Sequence, residues 1–144
     1  MGDKRVIDFL HEHHLAAFSV CNNQEMWCWS AFYTLIESEF CLVITSEEKT
    51  KHIQILKNSK ESMVCGIVAL ETTNIGQIRG VQFKGEMTLC SEESYFNKYR
   101  VAYLKQFPFA VLKGADLWIV KINELKFTDN RLGFGKKLLW SRPQ

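Results

Sequence analysis

The residue types best suited to chemistry in this chain sit together in Phe40–His52, FCLVITSEEKTKH. Cys41–Ile44 is a short β-type run, and Thr45-Ser46-Glu47-Glu48 follows it in capping-box order, hydroxyl first and carboxylate three residues later. A helix that begins there presents unpaired backbone N–H groups and a partial positive charge, a combination that attracts phosphate. Thr45, Ser46 and Thr50 add hydroxyl donors, while Lys49 and Lys51 add positive charge. Lysines near a helix start oppose its dipole, which a bound anion would relieve. Glu47 and Lys51, four residues apart, are equally an ordinary stabilising pair. The segment reads as a phosphate site or as a plain strand-to-helix junction.

Other groups are weaker candidates. His11-Glu12-His13-His14 has the residues of a metal site but not the H-E-x-x-H spacing, because Leu15 stands at the last position. His11 and His14 share a helix face without a third ligand nearby in sequence, so a solvated helix end explains them. His52 falls on one face of the capped helix. Leu132-Gly133-Phe134-Gly135-Lys136-Lys137 lacks the spacing of a phosphate loop and reads as a glycine-kinked strand. Trp27, Trp29 and Tyr33 form an aromatic stripe at strand spacing, suited to core, to an interface or to a flat ligand. No serine or cysteine has an evident base partner, and no carboxylate pair stands out. Five widely spread cysteines without a C-x-x-C pair read as reduced, buried thiols of a cytoplasmic protein.

The elements that must position these residues are mostly strands. Val6, Phe9 and Leu10 recur at helical spacing, predicting a helix from Asp3 to His13. Leu15–Cys21, Met26–Ile36 and Phe40–Thr45 read as strands, and the capped helix follows, ending near Asn58-Ser59. Met63–Leu70 is nearly continuous in apolar residues, as a strand buried on both faces would be. Ile75–Leu89 alternates, with Gly80 and Gly85 suggesting a bulge. Ser91-Glu92-Glu93 caps a helix that carries Phe96, Tyr99, Tyr103 and Phe107 and stops at Pro108, with a turn closing at Gly114. Leu117–Ile122 and Leu125–Trp140 complete the set. Six or seven hairpin-linked strands with glycine kinks and a few helices argue for a small closed barrel occupying residues 1–144 as a single domain.

Composition excludes several classes. At 144 residues, 47% hydrophobic and 24% charged, the chain is an ordinary soluble globular type. A net charge of +2 without a basic run argues against nucleic acid as a partner. No apolar run approaches the ~20 residues of a membrane helix, and the N-terminus lacks the apolar core of a signal peptide.

Five segments in order, VIDFLHEHHLAAFSV, WCWSAFY, ITSEEKTKH, IRGVQFKGEM and LKFTDNRLGFGKKLLW, resemble the pyridoxamine-phosphate-oxidase-like split-barrel superfamily, and within it the small YhbP-like bacterial branch. The resemblance covers most of the chain. It implies a mainly β fold, a six-stranded split barrel with flanking helices, dimerising through a broad face. In flavin-binding members FMN lies at the dimer interface, with its phosphate against the segment that corresponds here to Thr45, Ser46, Thr50 and Lys51. Arg79 and Gln82, on the IRGVQFKGE strand, are implied to face the isoalloxazine or the groove. The true oxidases carry Arg and Lys on the second strand where this chain places Trp29 and Thr34. They have Gln in place of Gly80 and Trp in place of Thr128. The oxidase reaction itself is therefore not expected, and no catalytic residue is carried over. Two expectations follow: a cytoplasmic homodimer that binds FMN, as a flavin-dependent oxidoreductase of unspecified substrate or as an FMN carrier, or a dimer without catalytic activity whose groove takes another small molecule, haem among them, with His52 or the His11–His14 cluster as iron ligand.

Overall fold

The computed structural model describes residues 2–108, 110, 115–133 and 135–144. The chain opens with α1 (Lys4–Glu12), capped by the Asp3 carboxylate, which accepts from the Arg5 N–H at 2.8 Å. Val6, Ile7, Phe9 and Leu10 bury one face of it. β1 (Leu15–Cys21) and β2 (Met26–Phe32) form a hairpin, and at its turn Asn22 Oδ1 accepts from the N–H groups of Gln24 and Glu25. β3 (Thr34–Ile36), β4 (Cys41–Ser46), α2 (Lys51–Lys57) and β5 (Met63–Ala69) follow. Then come β6 (Arg79–Leu89), α3 (Glu93–Gln106), β7 (Asp116–Asp129) and β8 (Lys137–Ser141).

All pairings are antiparallel, in the order β2-β1-β5-β6-β7-β4-β3, and β8 adds to the second half of β7. β2 and β3 lie in one stretch interrupted only at Tyr33, so the two ends of the sheet are halves of the same strand. The sheet therefore curls on itself into a six-stranded split barrel, with β8 outside the ring. Tyr33 pins the corner. Its ring is 1% exposed, its N–H donates to His14 O at 3.0 Å, and its hydroxyl donates to Leu10 O at 2.7 Å. The curl needs one irregularity, a register shift between Lys84 and Gly85. A Cβ at Gly85 would meet Lys121 O at 2.4 Å, which is why glycine stands there.

Phe18, Leu42, Ile44, Val81 and Val120 fill the barrel. A second cluster, with Val43, Cys90, Tyr99, Tyr103 and Leu117, lies where α3 covers β4 and β7. β4 is consequently almost wholly buried, having core on both sides. The prediction of a doubly buried strand belongs here and not to 63–70, because nothing among the described residues covers the outside of β5: Ile67 is 41% exposed. Three boundaries also differ from the sequence reading. The stretch 75–77 is a 3₁₀ turn before β6, and the two final strands are one long β7 followed by β8. α2 starts at Lys51 with Thr50 as its N-cap, not at the Thr45–Glu48 box. The ladder to β7 holds Thr45 opposite Leu117 and Ser46 opposite Asp116, so those residues remain strand. The turn expected at Gly114, and Phe134 of the glycine-kinked segment, lie outside the described residues.

Candidate functional site

Strand alternation separates the two hydroxyls that end β4. Thr45 shares the parity of Val43 and points to the α3 side, half-buried, whereas Ser46 is buried and points under α2. There Ser46 Oγ lies 2.5 Å from His52 Nε2, and Thr50 Oγ1 lies 3.2 Å from the same nitrogen. Thr50 also donates to Glu47 O at 2.8 Å, tightening the turn into the helix. The His52 ring stacks on Trp29 with centroids 4.1 Å apart and planes 6° from parallel, and Trp29 stacks on Phe18 at 5.3 Å. This three-ring pile fastens α2 to β2 and β1. Beside it Lys51 stays exposed, its ammonium 4.2 Å from the centroid of Trp27. Trp29 Nε1 is buried and has no hydrogen-bond partner.

Around the strand edge from Lys51, Trp27 also forms one wall of an apolar groove of about 450 Å³. Its floor is the outer face of β1, β2 and β5, with Ser19, Cys28 and Cys65 in one row. The outward positions of these three strands carry no charged side chain at all. The charge resumes on β6, where Lys84 borders the groove and pairs with Glu124 at 2.6 Å. A flat ring with an anionic tail matches this shape: apolar surface for the ring, and Lys51 at the Trp27 wall for the anion.

Of the expected site residues, the structure brings together Ser46 and Thr50, both on His52 Nε2, while Lys51 turns to Trp27. Gln82 lies on the same outer face as the groove, beside Ile67 and next to Lys126. Arg79 stands at the far end of β6, where it donates to Glu12 Oε2 at 3.0 Å and lies 5.4 Å from the Phe9 ring centroid. That hydrogen bond holds the Glu12 carboxyl below its usual range, and Arg79 Nε remains buried without a partner. His11 and His14 meet Glu37 and Gln106, each at 3.2 Å, and line a second pocket of about 370 Å³ with Thr34 and Lys105. Among the described residues no set of three or more His, Cys, Asp or Glu side chains is arranged to hold a metal ion.

One feature escaped the sequence reading. Cys21, Cys28 and Cys65 are exposed, contrary to the expectation of buried thiols; only Cys41 and Cys90 are buried. Cys21 on β1, Cys28 on β2 and Cys65 on β5 share one sheet face, and which face meets solvent depends on the curl. The aromatic stripe is mainly core wall, since Tyr33 is buried and Trp29 faces inward onto His52.

Burial lowers the His52 pKa from its ordinary 6.5, because the interior disfavours the charged ring. The fold thus prefers neutral His52, while the unfolded chain takes up the proton at higher pH. Its contribution to stability is complete above about pH 6.5 and is lost as pH falls from there. Glu12, Glu39 and Asp129 are all held below their usual values, so their contributions vanish only at lower pH. The melting temperature of the native chain is expected to fall between about pH 7 and about pH 5.5, and that of His52→Gln to stay flatter. Equal slopes in the two proteins would show that His52 is not the group responsible.

No protein-family model matches the chain. The UPF0306 protein YhbP of Escherichia coli is 40% identical over 135 residues, covering 93% of this chain and 89% of the relative. Among solved structures, the FAD binding protein from Mycobacterium smegmatis superposes with a TM-score of 0.69 at 11% identity, covering 99% of this chain and 98% of that one. The heme binding protein from the same organism superposes with a TM-score of 0.73 at 9% identity, covering 98% of this chain but only 59% of that one. At such low identities these two support the split-barrel fold alone. No helix among the described residues is long and apolar enough to cross a membrane. The level and extent of identity to YhbP place this chain in the UPF0306 YhbP family of split-barrel proteins.

Proposed function

We propose that the chain is a cytoplasmic, homodimeric FMN-binding protein, with flavin-dependent oxidoreductase activity as its chemistry. One observation carries this reading: the apolar groove and the Lys51 ammonium share Trp27 as a common wall. The isoalloxazine would lie along the groove and its phosphate would reach Lys51, with the Thr50 hydroxyl beside it. Bound flavin supplies hydride or electron transfer. The chain's own residues hold it: Trp27 gives a ring face, Lys51 balances the phosphate charge, and the pile of His52, Trp29 and Phe18 keeps α2 in place. Ser46 faces His52, so its part is to position α2, while Thr45 points to the other side of the sheet. A second copy seated on the uncharged outer face would close the groove and bring a second Gln82 to its border. Structural likeness to a protein described as FAD-binding is consistent with this reading.

The absorption spectrum of the purified protein tests it, followed by heat release and mass identification of the chromophore. FMN near one per chain is expected. Lys51→Ala should weaken FMN binding on the order of tenfold with circular dichroism unchanged, since Lys51 is exposed. Unchanged affinity in that variant would remove the phosphate clamp from the reading.

The pocket lined by His11, His13 and His14 favours a second reading, haem in place of flavin. His52 is buried and stacked on Trp29 whereas His11 and His14 are exposed, so the iron ligand would be one of those two. A Soret band that disappears on replacing either histidine distinguishes this reading from the flavin one.

A further inference from the structure

We propose that the rim of the outer groove binds a soft monovalent metal ion, copper(I) by class, held by Cys21 between Met26 and Met63. The register sets these three in one row. Cys21 pairs with Met26 across β1 and β2; one residue past the Val20–Val64 pair, it stands level with Met63 across β1 and β5. All three line the same groove, beside the turn that joins β1 to β2. Opposed side chains on one sheet face stand about 5 Å apart at Cβ, and the flexible methionine side chain lets each thioether swing over the central thiol. The adjacent row holds Cys28 and Cys65 on either side of Ser19, so five sulfur atoms share one uncharged surface.

Packing within the chain does not explain the row. Met26 is 79% exposed, and Cys21 is exposed although free cysteine is among the most commonly buried residue types. The donor chemistry selects the ion. Thiolate and thioether are soft ligands that suit copper(I), whereas magnesium, calcium and manganese need oxygen. Zinc needs four ligands drawn from thiolate, imidazole and carboxylate, and no such group is assembled among the described residues. On binding, Cys21 releases its thiol proton to solvent, so a monovalent ion and one thiolate leave the apolar groove neutral. The metal site goes beyond the flavin reading: it takes the turn end of the shared groove, at Cys21, Met26 and Met63, and leaves Trp27 and Lys51 to the flavin.

The test is an anaerobic titration of the reduced chain with copper(I) against a chromophoric copper(I) chelator. A single ion per chain is expected. Affinity should fall on the order of tenfold or more in Cys21→Ala, and likewise in the double variant Met26→Leu with Met63→Leu. Leucine keeps the side-chain volume and neither strand end enters the core, so unchanged circular dichroism is expected to accompany the loss. Copper(I) affinity unchanged in both variants would overturn the assignment. So would loss of binding only on replacing Cys28 or Cys65, or equal uptake of zinc(II).

Discussion

Ile67→Glu is expected to yield a folded monomer that no longer holds flavin. Ile67 lies in the middle strand of the outer face, between Ala17 on β1 and Gln82 on β6, and is 41% exposed in the single chain. In an isolated protomer a carboxylate there stays in water, so folding is scarcely affected. Against a second copy it would be buried among uncharged neighbours, where an ionised group without a partner costs several kcal/mol. That exceeds what a modest interface can absorb. Sedimentation at micromolar concentration should show a dimer for the native chain and a monomer for the variant, and flavin binding should be lost with the dimer. A variant that remains dimeric places the interface elsewhere. A monomer that still binds FMN would mean that the cofactor site is complete within one chain.

Phe18→Ala is expected to be the most damaging single truncation of the barrel. The ring is 1% exposed, stacks on Trp29 at 5.3 Å and meets Phe83 edge-on at 5.7 Å. Its removal opens a cavity directly beneath the pile that anchors α2. Truncations of this kind cost about 3–5 kcal/mol, a large part of a total that is typically only about 5–15 kcal/mol. The melting temperature should therefore drop on the order of 10 °C. Because His52 rests on Trp29, and Trp29 on Phe18, Lys51 should lose its fixed place over Trp27 as well. Denaturant unfolding measures the first effect. The second appears as weaker FMN binding under conditions where the variant is still folded. A loss below about 1 kcal/mol would show that the barrel collapses around the missing ring and that the pile is not the anchor.

Both predictions turn on which side of a strand faces out, and this is where sequence and structure part. β1 spans Leu15–Cys21 as its alternation requires, and α1 carries the apolar face that Val6, Phe9 and Leu10 demand. α3 begins and ends close to its Glu92–Glu93 start and Pro108 stop. These are local matters, set by caps, breakers and periodicity. The start of α2 is not local. Thr45–Glu48 has the pattern of a helix cap, yet pairing with Leu117 and Asp116, more than 60 residues away in sequence, keeps Thr45 and Ser46 in the strand. The apolar run 63–70 looked doubly buried because its composition resembles β4; the difference is that α3 covers β4, whereas nothing among the described residues covers the outside of β5.

The sequence by itself determined most of the strands and helices and the likeness to split-barrel proteins, and it placed the Thr50 hydroxyl beside the Lys51 ammonium, since each rests on residue types at short spacing. Only the tertiary structure decided that Ser46 turns inward to His52, that Thr45 faces α3, that Arg79 braces α1, and that three thiols open onto a groove. Those outcomes follow from closure of the sheet at Tyr33, where one strand changes partners from β1 to β4 and so fixes, for every strand in the ring, which alternate residues point in and which point out.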